Sequence, residues 1–266
     1  MNDCRAESER FKNGAEKYAA YLETPEGRLR SDVAFENLQA FLPRSPAEKS
    51  LCALDLGCGT GATAVRLARL GIHVTLLDSS QAMLEIAKRT VQEAGVADKV
   101  VLKRGDALRL TNLFPDASFD VILCHNLLEY LDAPISVLCG AARALRDSSA
   151  ILSILVRNRA GEVFKAAIQA GDLAVAENNL AAEWVQESLY GGRVRLFTSD
   201  RLRAMLTEAS LATIAERGVR VLADYLPSRI SRRSDYERIL ALERKLSSLP
   251  EYFAVARYTQ CFAHLG

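Results

Sequence analysis

The chain predicts an α/β domain with a mostly parallel sheet, on three observations. After residue 50, short apolar runs of strand length alternate with amphipathic segments of helix length. The first apolar run passes at once into a glycine-rich turn, Gly57-Cys58-Gly59-Thr60-Gly61. The second and third runs close on aspartates, Asp78 and Asp106. Repeated strand–helix units of this length require right-handed crossovers, which place helices on both faces of the sheet.

Residues 51–56 read as the first buried strand. Val65, Leu67, Ala68 and Leu70 follow at helical spacing until Gly71 stops the helix. Residues 73–77 form the second strand, 81–94 a helix ended by Gly95, and 99–103 the third strand. The run FDVILC at 119–124 is the fourth strand, 134–145 a helix and 150–156 the fifth strand. From there the pattern changes, and residues 161–189, holding the single tryptophan Trp184, read as a mostly helical insertion over the edge of the sheet. Residues 198–209 resemble a helix capped by Thr198, Ser199 or Asp200. Residues 211–216 and 252–262 read as late strands, and between them SDYERILALERKLS at 234–247 is an amphipathic helix opened by a Ser234–Glu237 capping box.

At 266 residues the chain is long enough for one large domain with its own core, and 49% hydrophobic with 25% charged residues excludes disorder, collagen-like repeats and disulfide scaffolds. The net charge of +1 advertises neither nucleic acid nor a membrane surface, but residues 193–257 hold 13 Arg and Lys against 8 Asp and Glu. The basic bias therefore lies late in the chain. The six cysteines form no CxxC pair, so they read as reduced thiols and no metal site is expected. The opening MNDCRAESERFKN is charged throughout and no apolar run is long enough to span a bilayer, which predicts a cytoplasmic protein with no membrane partner.

The glycines of the turn permit positive φ and let a ligand approach bare backbone. Three aspartates narrow what that ligand is. Asp78 stands 21 residues after Gly57, where its carboxylate can accept both hydroxyls of a ribose. Asp106 and the N–H of Ala107 can read an adenine edge, and Asp55 can orient the loop or meet a ligand ammonium. A nicotinamide dehydrogenase is the competing reading, disfavoured by GxGxG in place of GxGxxG.

LDLGCGTG, the acid of LLDSS, RGDA and FDVILCHNLLEYL, in this order across residues 51–156, resemble the Rossmann-like class I S-adenosylmethionine-dependent methyltransferases. The resemblance implies a seven-stranded sheet whose last strand is antiparallel, completed by residues 211–216 and 252–262. It implies one domain: an N-terminal helical segment at 1–50, a cofactor-binding core at 51–156, a helical insertion or lid at 157–197, and a C-terminal part at 198–266. Gly57, Cys58 and Gly59 would lie beside the methionine part of the cofactor, Asp78, Ser79 and Met83 near the ribose, and Asp106 with Ala107 at the adenine.

A narrower likeness covers almost the whole chain. TPEGRLR at 24–30, ILCHNLLEY at 122–130, Asn158, GVRVLADYL at 218–226 and the run at 235–258 resemble the bacterial tRNA 5-carboxymethoxyuridine methyltransferases. The departures are a less acidic glycine loop, Arg157 in an aromatic's place, and YGGRVRL at 190–196 where the family is lysine-rich. Arg193, Arg195, Arg229, Arg232 and Arg233 can replace those lysines as phosphate contacts. By position, Arg30 would pair with the cofactor's carboxylate and His125 would line the cofactor and acceptor pocket.

A carboxylate acceptor is already ionised at neutral pH, so transfer needs positioning and no general base. Candidate anchors are Arg220, Tyr225, Arg257 and Tyr258, with Arg157 and Asn158 near the methyl group. Each has a second reading: the arginines as surface residues of late strands, the tyrosines as core aromatics with satisfied hydroxyls, His125 as a structural histidine. The expected partner is a tRNA anticodon loop or a small-molecule acceptor. The alternatives in function are a small-molecule O- or N-methyltransferase and a non-catalytic cofactor-binding protein.

Overall fold

The computed structural model describes residues 14–44, 50–115, 119–187, 191–227 and 229–266. Residues 1–13, with Cys4 and the charged opening, the end of the expected insertion at Leu189, and Tyr190 lie outside them.

Helix α1 (residues 14–22) meets α2 (Pro25–Gln39) at a tight turn. Thr24 caps α2, its hydroxyl accepting from the Gly27 N–H, and Pro25 supplies the preset φ of a first helical turn. A Cβ at Gly27 would sit 2.1 Å from the Tyr21 carbonyl oxygen, so only glycine lets the two helices cross this closely.

Alternating units follow: β1 (Cys52–Leu56), α3 (Ala62–Arg69), β2 (His73–Asp78), α4 (Gln81–Glu93), β3 (Val100–Arg104), the single turn α5 (Leu110–Leu113), β4 (Val121–His125), α6 (Pro134–Ala144) and β5 (Ile151–Arg157). Then come α7 (Arg159–Phe164), a π-helical turn at Lys165–Gln169, α8 (Leu173–Asn179), β6 (Trp184–Gln186), β7 (Arg193–Arg195), α9 (Ser199–Glu208), β8 (Leu211–Val219), α10 (Tyr236–Leu246), α11 (Pro250–Phe253) and β9 (Tyr258–Leu265).

The main sheet has seven strands in the order β3-β2-β1-β4-β5-β9-β8, with β9 antiparallel to both neighbours and the other pairings parallel. This is the expected Rossmann-like architecture. Strand order reverses between β1 and β4, which opens a crevice at the carboxyl ends of the strands. Alternation of side chains divides the core. Leu54, Ile122, Leu152 and Cys261 pack on one face with α6 and α9, while Ala53, Leu123, Ile151 and Phe262 pack on the other with α3, α4 and the end of α2. A third cluster joins α2 and α10 through Leu29, Val33, Ile239 and Leu240, around Leu155 and Tyr258.

Three expectations are corrected. The insertion is not wholly helical, since Trp184 lies on β6, which pairs antiparallel with β7 as a separate ribbon. The last strand starts at Tyr258, not at residue 252, because Pro250 opens a helical turn that carries the chain to Phe253. The Ser234–Glu237 capping box does not form: α10 begins after Asp235 with no side-chain cap, and the Ser234 N–H donates instead to Ser231 Oγ at 3.1 Å. Of the three candidates for capping α9, Thr198 takes the role, accepting from the Arg201 N–H at 3.2 Å.

Candidate active site

A cavity of about 650 Å³ lies in the crevice at the carboxyl ends of β1, β2, β4 and β5, bordered by residues of α1, α2 and the π-helical turn. Its two ends differ in construction.

At the glycine-loop end, Gly57 (φ +66°) and Gly59 (φ +54°) put backbone on the cavity wall. A Cβ on Gly57 would reach Leu127 at 3.0 Å and one on Gly59 would reach Tyr18 at 3.2 Å, so space as well as φ demands glycine. The Asp78 carboxylate accepts from the Gly59 N–H at 2.9 Å and the Ser80 N–H at 2.8 Å, clamping the loop to the end of β2. Burial raises its pKa despite these donors. Asp106 accepts from the Leu108 N–H at 2.9 Å and caps the turn that brings Ala107 to the wall. Ser79 and Met83 complete this end. Asp55 lies beneath the loop, where burial and then the charge of Asp78 push its carboxyl up to about 7. Cys58 points away from the cavity, and burial with the neighbouring Asp78 and Asp55 holds its thiol protonated.

The other end is an arginine cluster. Arg30 reaches in from α2, Arg157 from the end of β5, Arg220 from just after β8, and Arg257 with Tyr258 from the start of β9. Register brings them together, since Tyr258 pairs with Arg157 on one side and with Val219 on the other. Glu162 on α7 accepts from Arg157 Nη1 at 3.0 Å and also pairs with Arg257. Asp224 pairs with Arg220, and Arg257 Nε stands 3.9 Å from its second oxygen. Burial would raise the Glu162 carboxyl, but Arg257, Arg157 and Lys165 hold it below its ordinary value.

Arg30 differs from the other three arginines. It has no carboxylate partner among the described residues; its Nη2 donates to the Tyr18 hydroxyl at 2.9 Å, and its guanidinium stacks on Tyr18, Tyr21 and Tyr258 at 5.0–5.8 Å. Burial works against its charge, but the three phenols keep it protonated. Burial would also raise the Tyr258 phenol, yet Arg157, Arg30, Arg220 and Arg257 bring it down to about 8. A buried guanidinium such as Arg30, set against phenols, prepares a site for an anion.

Asn126 (φ +51°) and Arg220 (φ +60°) are two of the three non-glycine residues with positive φ among the described residues, and both line the cavity. Backbone in this region is held only where its surroundings over-determine it, and it gathers at functional sites. The Asn126 amide donates to Glu129 Oε1 at 3.1 Å, while Glu129 Oε2 is buried with no hydrogen-bond partner among the described residues.

Of the residues singled out in the sequence, Arg30, Gly57, Gly59, Asp78, Ser79, Met83, Asp106, Ala107, His125, Arg157, Arg220, Arg257 and Tyr258 line the cavity. Asp55, Cys58, Asn158 and Tyr225 do not. Asn158 instead caps α7 and donates to the Ala254 and Ala256 carbonyls, both at 2.9 Å. The Tyr225 hydroxyl sits between the Gly161 and Val255 carbonyls at 3.3 and 3.2 Å. Both side chains are consumed in tying α7 to the approach of β9. Sequence reasoning missed Tyr18, Tyr21, Glu129, Glu162, Lys165 and Asp224. Glu129 and Asp224 lie inside runs quoted above, HNLLEY and VLADY, where an acid beside apolar neighbours was the available signal.

The late basic excess is largely neutralised within the fold. Arg201 pairs with Glu183, Arg203 with Asp200 and Glu216, Arg232 with Glu26 and Arg244 with Glu36. Arg193 and Arg195 lie over the Trp184 ring at 5.4 and 4.3 Å. Among the described residues no group of three or more His, Cys, Asp or Glu could hold a metal ion, and no helix is long and apolar enough to cross a membrane.

Comparison with known proteins agrees with this architecture. Residues 54–153 match the methyltransferase domain family. The tRNA 5-carboxymethoxyuridine methyltransferase of Escherichia coli K12 is 29% identical over 93% of both chains. The ubiquinone biosynthesis O-methyltransferase of Maricaulis maris is also 29% identical, over 64% of this chain and 63% of its own. A structure described as a SAM-dependent methyltransferase, possible histamine N-methyltransferase, from Thermotoga maritima superposes with a TM-score of 0.63 at 15% identity, covering 97% of this chain and 99% of that one. With that domain running from β1 to the start of β5 and the seven-stranded sheet around it, the chain is an S-adenosylmethionine-dependent methyltransferase with a Rossmann-like fold.

Proposed function

We propose that the chain methylates a carboxylate, that of 5-carboxymethoxyuridine at the wobble position of tRNA. The observation that carries this reading is the charge of the cavity's far end. Arg30, Arg157, Lys165, Arg220 and Arg257 face four buried carboxylates there, Glu129, Glu162, Glu187 and Asp224. The cations still exceed the acids, and burial pushes the Glu129 carboxyl up toward its neutral form, so this end accepts anions: the carboxylate of the cofactor and that of the acceptor. The whole-length likeness to the Escherichia coli enzyme supports the same acceptor.

The residues present fit S-adenosylmethionine, which supplies an activated methyl group on a sulfonium. Arg30, a buried guanidinium set against phenols with no carboxylate beside it among the described residues, would receive the amino-acid carboxylate. Gly57 and Gly59 would let the chain of that ligand lie against bare backbone, Asp78 would take the ribose hydroxyls with Ser79 and Met83 alongside, and Asp106 with Ala107 would meet the adenine. Arg157, Arg257 and Tyr258 would hold the acceptor oxygen in line. No group need remove a proton from a carboxylate, so orientation and charge complementarity carry the rate. Residues 157–197 would act as lid and ribbon of a single domain.

The test is chemical. tRNA from a strain lacking the gene should accumulate the free acid, and the purified protein with S-adenosylmethionine should restore the ester on that tRNA. Undiminished ester in the deletion strain would overturn the assignment.

A second reading, a small-molecule O-methyltransferase with an apolar acceptor, has one observation in its favour. Phe164, Ile168, Leu173, Val175 and Leu180 are all exposed on the α7–α8 segment over the cavity. It predicts turnover indifferent to ribonuclease.

A further inference from the structure

A buried polar line crosses the sheet on its α2 face and ends at His125. Its direction can be read from two backbone carbonyls, which only accept. The Gln260 amide nitrogen meets Ala34 O at 3.0 Å and Ser153 Oγ at 3.1 Å, which occupies both of its hydrogens. Gln260 Oε1 therefore turns to the Asn37 amide nitrogen at 3.1 Å. That nitrogen also reaches Gly218 O at 3.4 Å. Ser153 Oγ thus accepts from Gln260, and its own hydrogen has one acceptor left, His125 Nε2 at 2.8 Å.

Were Nε2 protonated, the hydroxyl of Ser153, which is 0% exposed, would be left without an acceptor. The same holds for a charged ring, which also carries a proton on Nε2, and burial and then Arg30 push the imidazole down to about 3. Nδ1 has no protein partner among the described residues, and His125 lines the cavity.

We infer that His125 is locked as the Nδ1-protonated tautomer and that its Nδ1–H is a hydrogen-bond donor to the oxygen that receives the methyl group. Its role is to select and orient an acceptor whose oxygen is already ionised. A ring fixed this way has no free lone pair on the cavity side, so it gives an unionised amine or hydroxyl no base. The donor role rests on the methyl-transfer reading of the cavity; the tautomer does not.

The experiment is NMR of the ring nitrogens in the full chain bound to S-adenosylhomocysteine. The chain has 3 histidines, and the His125 signals are those lost in His125→Asn. A proton bonded directly to Nδ1 is expected, with a mixture of tautomers in Ser153→Ala. A proton on Nε2 in the wild type overturns the inference.

Kinetics on tRNA lacking the ester supply the second arm. His125→Asn keeps an N–H near the Nδ1 position and should lose roughly tenfold less in kcat/KM than His125→Gln, whose amide reaches the Nε2 position. Equal losses in both variants overturn the donor role. A wild-type protein that methylates no tRNA defeats the tRNA reading alone, because the ring-nitrogen spectrum needs no acceptor and decides the tautomer by itself.

Discussion

The two ends of the cavity solve the same problem by different means. At the glycine-loop end the polar groups come from residues 55–107 and are held by backbone: positive φ at Gly57 and Gly59, and N–H groups on Asp78 and Asp106. At the arginine end they come from residues 30, 157, 162, 220, 224 and 257, on separate elements, and are held mostly by one another's charge. A site made of backbone survives changes in side chains around it. A site made of buried ion pairs stands or falls as a network.

Asp55 provides the largest expected effect, as the group at the glycine-loop end with no hydrogen bond among the described residues. Its carboxyl is raised to about 7 by burial and Asp78, so the fold favours the protonated form. The stability it contributes is full below about pH 4, its unfolded value, and is lost as pH rises through the folded value. At its steepest that loss is about 1.4 kcal/mol per pH unit, and Asp55→Asn should abolish it. Urea unfolding across this range checks it; equal slopes in both proteins would mean Asp55 is satisfied by something else.

Glu162→Ala comes next. It strands the guanidiniums of Arg157 and Arg257 in the interior, and should lower the unfolding free energy by about 3 kcal/mol. A loss under 1 kcal/mol, within the range of a surface pair, would show that the arginines do not depend on it.

Asp78→Ala should weaken S-adenosylhomocysteine binding by about 2 kcal/mol, measured by calorimetry, through loss of charge-assisted hydrogen bonds. The same titration on Glu162→Ala sharpens the comparison, since a similar loss there would make the two ends one unit. The smallest effect is Gly59→Ala, where φ +54° and Tyr18 at 3.2 Å should together cost about 1 kcal/mol of stability.

This division also separates what was readable in the chain. LDLGCGTG, Asp78 and Asp106 announced the glycine-loop end because a strand, its turn and the following helix are contiguous, and the turn chemistry is carried by a few residues. Apolar runs likewise located β1 to β5 to within two residues at either end. The late chain was harder. Trp184 sits on a three-residue strand, too short to show an alternating period, and β9 was placed too early because Tyr252, Phe253 and Val255 extend its apolar pattern across a helical turn. Tyr225 looked like an acceptor anchor and Asn158 like a neighbour of the methyl group, yet both spend their polar atoms on backbone groups.

By itself the sequence determined the layered α/β fold, the methyltransferase domain and the backbone cradle, because each depends on residues adjacent in the chain. Only the tertiary structure decided which arginines are paired, that Arg30 meets phenols in place of a carboxylate, and that the proton of His125 belongs on Nδ1. Those facts arise where β5, β9, α2 and α7 converge, and burial there turns residues distant in sequence into one electrostatic unit.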